Sequence, residues 1–459
     1  MALQLIVAFS ILVVLHEWGH FIAARIFGIR VEKFYMFFNP KFSLLTYRKG
    51  DGVKFFQFHR SDKKLSEEEK EKEEKKKAKT TYGIGWLPLG GYVKIAGMID
   101  ESMDKEQMKK PPQPWEFRSK PPWQRLIVMT GGVIMNLILG VVVLSFILLN
   151  YTKSYLPKDE VNKDGIYAYE LGRDMGFETG DKIIEIDGKE FERFSEIVST
   201  KVFFGADITV ERNNKKLTIQ IPDTLYKIYK KSPKLFIAPH NYKFKVDSLL
   251  PTHKAKEAGL RVNDIIAFVE DTKINSYGQL KELLSNNIGK DVELVLDRNG
   301  SFDTITVGVD SSAMIGFAIS APPYKFTDYS IGSSLKYGLL DAYELLYANI
   351  KGIGKIFTGE EKASESIGGP IKIATMFGGT WEWERFWRLV GLLSLILAFM
   401  NILPIPALDG GHVILTLIEM ITGKPIPEKA MERIQMVGII IIFGLMILIF
   451  GNDIFSLIK

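Results

Sequence analysis

Cysteine is absent from this chain of 459 residues. Its absence excludes disulfides, cysteine-ligated metal centres and thiol chemistry. Histidine is scarce as well: the six are His16, His20, His59, His240, His253 and His412. Neither sign of charge dominates. Lys and Arg number 59 against 54 Asp and Glu, a net +5 that is mild for this length, and no basic stripe is interleaved with aromatics. Nucleic acid is therefore not an expected partner. What the chain does have is contrast: charged residues make up 25% of it and hydrophobic ones 46%, and the two are segregated into very polar and very apolar stretches.

Four apolar stretches approach the roughly 20 residues a bilayer crossing needs, at about 3–26, 126–149, 386–403 and 436–450. The first lacks the basic leader of a cleaved signal peptide, and His16, Glu17 and His20 would be out of place in one, so it reads as a retained span. Arg25, Arg30 and Lys33 follow span one, and Arg118, Lys120 and Arg125 precede span two. The positive-inside rule makes that loop cytoplasmic. The long stretch between spans two and three then lies outside the cytoplasm.

Near the end of the first span stands His16-Glu17-Trp18-Gly19-His20. Two histidines four apart share a helix face, and a glutamate directly after the first can reach water held between them. This is the H-E-x-x-H pattern of a zinc hydrolase, with Glu17 as general base. Ionisable groups in a membrane span are costly, which makes them candidates for function. A catalytic zinc takes three protein ligands and keeps one position open. The third is expected from Asp409, at the end of span three in Asn401-Ile402-Leu403-Pro404-Ile405-Pro406-Ala407-Leu408-Asp409-Gly410-Gly411-His412. The two prolines break helical bonding there, which is tolerated at membrane depth only under protein or a wet cavity. His412 competes for the role; its other reading is a helix-start residue that supports the ligands.

The cytoplasmic loop alternates like β-strands at 34–38, 42–47, 53–58 and 82–95. Residues 66–79 are nearly all Glu and Lys and read as a solvated insertion. Between about 161 and 319 lies a weak internal repeat. Gly176 to Gly188 and Gly259 to Val269 share a turn, an acidic residue and an apolar strand, followed by a helix and two strands. Its spacing is similar to tandem PDZ domains, which bind peptides at a sheet edge or act as steric filters. One or two amphipathic helices are expected over 324–357. Trp381, Trp383 and Trp387 read as an interfacial belt.

Together the H-E-W-G-H span, the N-x-x-P-x-P-x-L-D-G-G-H segment and the PDZ-like insert resemble the site-2 protease family, of the bacterial regulator of sigma-E protease type. The resemblance covers nearly the whole chain. It implies a polytopic α-helical membrane protein with four spans, a small cytoplasmic β region and two extracytoplasmic PDZ-like α/β domains. The expected partition is 1–28 (first span), 29–120 (cytoplasmic loop), 121–150 (second span), 155–235 and 236–322 (PDZ-like domains), 323–383 (amphipathic helices) and 384–459 (last two spans). By the same resemblance His16, His20 and Asp409 match zinc ligands and Glu17 the catalytic glutamate. Asn401, and Asn136 in Gly132-Val133-Ile134-Met135-Asn136, match residues tied to substrate binding; each also reads as capping a kink or bonding across helices. The implied activity is zinc-dependent cleavage of single-span proteins of the lipid bilayer, such as anti-sigma factors or remnant signal peptides, in the bacterial inner membrane. A catalytically silent scaffold or sensor of the same fold is the alternative. A transporter is disfavoured by the small number of spans, and a secreted protease by their presence.

Overall fold

The computed structural model describes the chain apart from residues 59–78, 89, 99–110, 152–153, 232–235, 241–243, 251–253, 320–323, 327, 362–367 and 459. The Glu/Lys run, except Lys79, lies outside the described residues, as do His59 and His253. The chain divides into two units, Met1–Thr152 with Tyr329–Lys459, and Lys153–Asp328.

The first unit contains helices α1 (Ala2–Ile26), α2 (Pro122–Asn150), α3 (Ile331–Phe357), α4 (Trp383–Ile402), α5 (Asp409–Thr422) and α6 (Glu428–Ile458). Of these α1, α2, α4 and α6 are long and apolar enough to cross a membrane, in agreement with the four expected spans. Pro122 opens α2, where its missing N–H costs nothing. Ser330 caps α3 by accepting the Ser333 N–H, and of the stretch expected as one or two helices over 324–357, Ile331–Phe357 forms this one long helix while Lys325–Phe326 is a strand. Gly423, in left-handed conformation, closes α5. Leu12, Val143, Leu144, Phe377, Val390 and Leu395 share a core drawn from α1, α2, α4 and the segment before α4. Among the described residues α6 buries only Gln435, Gly438 and Asp453.

Between α1 and α2 the chain forms β1 (Val31–Met36), β2 (Phe42–Arg48), β3 (Gly52–Phe58), β4 (Thr81–Ile84) and β5 (Tyr92–Ile95) in one sheet of order β3-β2-β4-β1-β5. The stretch expected at 82–95, where Leu87 to Gly91 read as turn residues followed by alternation, forms two separate strands, β4 and β5. β1 runs parallel to β4, with Lys33 opposite Thr81, and antiparallel to β5, with Tyr35 opposite Tyr92. β5 ends the sheet, leaving one of its edges unpaired among the described residues. A second core ties this sheet to the helices: Ala24, Ile29, Val31, Ile95, Val128 and Val413 pack together.

The second unit repeats one topology twice. In the first copy Lys182–Ile186, Lys189–Glu190, Ala206–Arg212 and Lys215–Ile221 form a four-stranded sheet; in the second Ile265–Val269, Thr272–Lys273, Asp291–Arg298 and Ser301–Gly308 do so in the same order. The repeat extends to a buried ion pair. Arg212 Nε lies 2.7 Å from Asp181 and Arg298 Nε 2.9 Å from Asp264, and each guanidinium also bonds a glycine carbonyl, of Gly176 or Gly259. The glycine and the aspartate of each repeated turn are therefore held by an arginine one strand away. The boundary expected at 235/236 is corrected: Phe236 and Ile237 belong to the first core, and Ile237–Pro239 pairs with Ile166–Ala168. The copies meet at Glu282, which accepts from the Tyr167 hydroxyl at 2.7 Å and from Arg173 at 2.7 Å. Burial opposes ionisation of Glu282, but the hydrogen bonds from Arg173 and Tyr167 prevail and hold its carboxyl below the usual range.

Candidate metal centre

The helical spacing of His16 and His20 sends both rings from one face of α1. Their Nε2 atoms are 3.3 Å apart. Asp409 Oδ2 lies 3.1 Å from His16 Nε2 and 3.3 Å from His20 Nε2. The sequence placed Asp409 at the end of the third span. The structure corrects this: α4 stops at Ile402, and Asp409 is the first residue of the separate helix α5. Pro404 and Pro406 cannot continue α4, and Ala407 takes the left-handed φ of 75° that turns the chain back. The carboxylate then sits at a helix N-terminus, where negative charge is favoured.

The second nitrogen of each ring is engaged elsewhere. His20 Nδ1 is 2.8 Å from the Val128 carbonyl, which accepts only from N–H. That bond puts the proton on Nδ1 and leaves a lone pair on Nε2. His16 Nδ1 is 3.1 Å from the Asn136 side-chain amide. When the amide turns its oxygen to the ring, Nδ1–H is satisfied, and so is Asn136 Oδ1, which is otherwise buried without a partner. The Ser394 hydroxyl holds the Asn136 backbone by donating to its carbonyl at 2.7 Å.

Three electron-pair donors therefore face one point, and the buried Asp409 Oδ2 has no hydrogen-bond donor of its own. Such an arrangement is repulsive unless a cation joins it. A tetrahedral zinc with bonds of about 2.0–2.1 Å has ligand–ligand edges of about 3.3–3.4 Å. The observed edges, 3.1 to 3.3 Å, match that size. Among the described residues these three form the group able to hold a metal ion.

Glu17 and His412 line a cavity of about 440 Å³ together with the three donors and β5. The Val93 backbone faces the Glu17 carboxylate. Asn401 Nδ2 is 3.4 Å from His16 Nε2, on the donor side of the ring. Asn136, by contrast, is fully buried and meets the ring's other nitrogen. The structure thus brings His16, Glu17, His20 and Asp409 to one cavity, sets Asn401 against His16 Nε2 and places Asn136 behind His16. His240 is in the second unit, where burial pushes its imidazole pKa down.

Gly132 is a residue the motifs did not single out for its own sake. A Cβ there would lie 2.4 Å from His20 Nε2 and 2.5 Å from His16 Cε1. Neighbouring Gly131 meets Gly19 backbone to backbone, the close approach that small residues allow between spans. The Gly131-Gly132 pair in an apolar run was the available signal. Gly132→Ala is expected to displace the imidazoles and lower activity about 100-fold, the scale of a 1 Å misplacement. Normal turnover and metal content in that variant would show that the rings have room to spare.

Comparison with known proteins identifies the family. A candidate zinc metalloprotease of Pasteurella multocida is 27% identical over 98% of this chain and 97% of its own length. The regulator of sigma-E protease RseP of Escherichia coli is 27% identical, again over 98% and 97%. The regulator of sigma E protease of Haemophilus influenzae is 25% identical over the same shares. The pattern of peptidase family M50 matches residues 4–57 and 71–445, a match that takes in both the H-E-x-x-H helix and the Asp409 turn and makes the chain a member of that family.

Proposed function

We propose that this protein is a zinc-dependent intramembrane endopeptidase that cuts single-span membrane proteins near the cytoplasmic face. One observation carries the reading: two histidines of a membrane-spanning helix and a carboxylate 389 residues beyond the second converge within zinc-ligand distances. His16, His20 and Asp409 are the proposed ligands, with Asn136 and the Val128 carbonyl orienting the two rings.

A zinc ion held there supplies a Lewis acid that acidifies water and polarises a carbonyl. Glu17 takes the proton from the attacking water and passes it to the leaving nitrogen. Asn401, on the donor side of His16, hydrogen-bonds the substrate backbone or the developing oxyanion. A substrate helix in lipid has its own backbone bonds satisfied, so it must unwind to be cut. β5 is the end strand of its sheet, its Val93 backbone hydrogen-bonded to Glu17, and its outer edge is suited to receive the unwound strand by main-chain bonding. His20 is about one and a half turns from Arg25, at the end of α1 proposed as cytoplasmic, and this supports cleavage toward that face.

The two repeated modules of the second unit are proposed as extracytoplasmic PDZ-like domains, either excluding substrates with bulky ectodomains or binding peptide. Anti-sigma factor-type proteins and remnant signal peptides are the proposed substrates, and the inner membrane the location. Purified protein is expected to carry one zinc, to lose cleavage of a model single-span substrate on chelation, and to regain it with zinc. Undiminished cleavage by metal-free protein would sink the reading.

A further inference from the structure

The fourth span, α6, is exposed along most of its length, yet it buries a polar side chain beside the metal centre. Gln435 is 5% exposed and its Oε1 has no hydrogen-bond partner. It lines the same cavity as Glu17, the three converging donors and β5. An unmet acceptor in such a place is costly and calls for a ligand. The position of Gln435 is also fixed. One turn further on, Gly438 presses against the loop that delivers Asp409: a Cβ there would lie 1.9 Å from the Pro406 carbonyl oxygen. The face of α6 that carries Gln435 is therefore seated on the ligand loop.

We infer that Gln435 holds the main chain of the unwound substrate opposite β5; the inference rests on the peptidase reading above. In an extended strand, the N–H and C=O of one residue point to one side and those of the next residue to the other. With β5 bonding one edge of the substrate strand, the other edge is left without partners inside a low-dielectric cavity. A primary amide offers an acceptor and two donors, enough to take both the N–H and the C=O of one residue, as a rung of a β-ladder does. Gln435 thus supplies the missing neighbour strand at one position. Because it bonds main chain and not side chain, it favours extended substrate conformation without restricting sequence.

The test uses full-length protein in detergent, a single-span substrate, and a synthetic series in which one backbone amide at a time is replaced by an ester, removing one N–H. Gln435→Met is expected to lower kcat/KM about 10- to 100-fold, the scale of two hydrogen bonds left unmade, at unchanged zinc content and melting temperature. In wild type an ester at one position, which removes one of the two bonds, costs about tenfold, and in Gln435→Met that same ester costs nothing further. Gln435→Asn withdraws the amide by one methylene and should give the same loss, should Gln435→Met melt early. Wild-type kcat/KM in both variants, or an ester profile identical in wild type and variants, overturns the proposal. Glu17→Gln runs alongside: if it cuts as well as wild type, the peptidase reading itself fails, whatever Gln435 does.

Discussion

Glu17→Gln should retain one zinc per chain and lose about 10²- to 10⁴-fold in turnover of a single-span substrate, the range that general acid–base catalysis supplies. The substitution conserves volume and polarity and removes only basicity. Glu17 is not among the three atoms that converge within zinc-ligand distances, so metal content should not follow activity. Its place in the cavity wall, next to His16 on the helix and facing the β5 backbone, puts the carboxylate between the metal donors and the proposed strand site. Among the described residues the other carboxylate lining the cavity is Asp409, which is turned onto both imidazoles. Measuring metal and turnover on the same preparation decides the matter. Full turnover would remove Glu17 from the chemistry, and joint loss of zinc and activity would make it a ligand.

Much of this site was legible because its chemistry is local. His16, Glu17 and His20 lie within five residues, and helical spacing alone puts the two imidazoles on one face. Asp409 was legible by elimination: two prolines at membrane depth beside an acidic residue are hard to explain otherwise. The end of the span near 403 and a helix start at His412 were visible; what hydropathy did not show is that the new helix begins three residues earlier, with Asp409 itself as its first residue. The four spans were visible for the same reason as the motif, each being a contiguous run. The Pro88-Leu89-Gly90-Gly91 run within 82–95 carried the turn chemistry that separates β4 from β5.

What could not be read depends on how helices cross. Gly132 matters because α2 passes directly over two imidazoles, and nothing in a Gly-Gly pair says what lies opposite it. Asn136 read either as a substrate-binding residue or as one bonding across helices; its burial and its contact with His16 Nδ1 favour the second, as an orienter of the ring. Gln435 precedes the apolar run at 436–450, and nothing in the sequence marks it; its unmet oxygen and its place in the wall of the metal-donor cavity depend on how α6 packs.

Asp409→Ala is the substitution expected to cost most zinc. Removing it leaves two imidazoles from one helix, and two ligands do not make a catalytic zinc site. Affinity should fall by well over 100-fold, the upper range seen when a residue that merely orients a ligand is lost. Dialysed variant protein should then hold far less than one zinc per chain, and its proteolysis should vanish with the metal. Fold should survive, because Asp409 begins α5 at a partly exposed position and the turn before it is shaped by Pro404, Pro406 and Ala407. Asp409→Asn separates charge from shape: it keeps an oxygen in place but removes the anion, so zinc should bind more weakly than in wild type and more tightly than in the alanine variant. His412→Ala provides the control. His412 lies on the same helix and lines the same cavity, but it is not in the group of converging donors, so that variant should keep its zinc. A full zinc complement in Asp409→Ala together with its loss in His412→Ala would transfer the third ligand from the carboxylate to the imidazole.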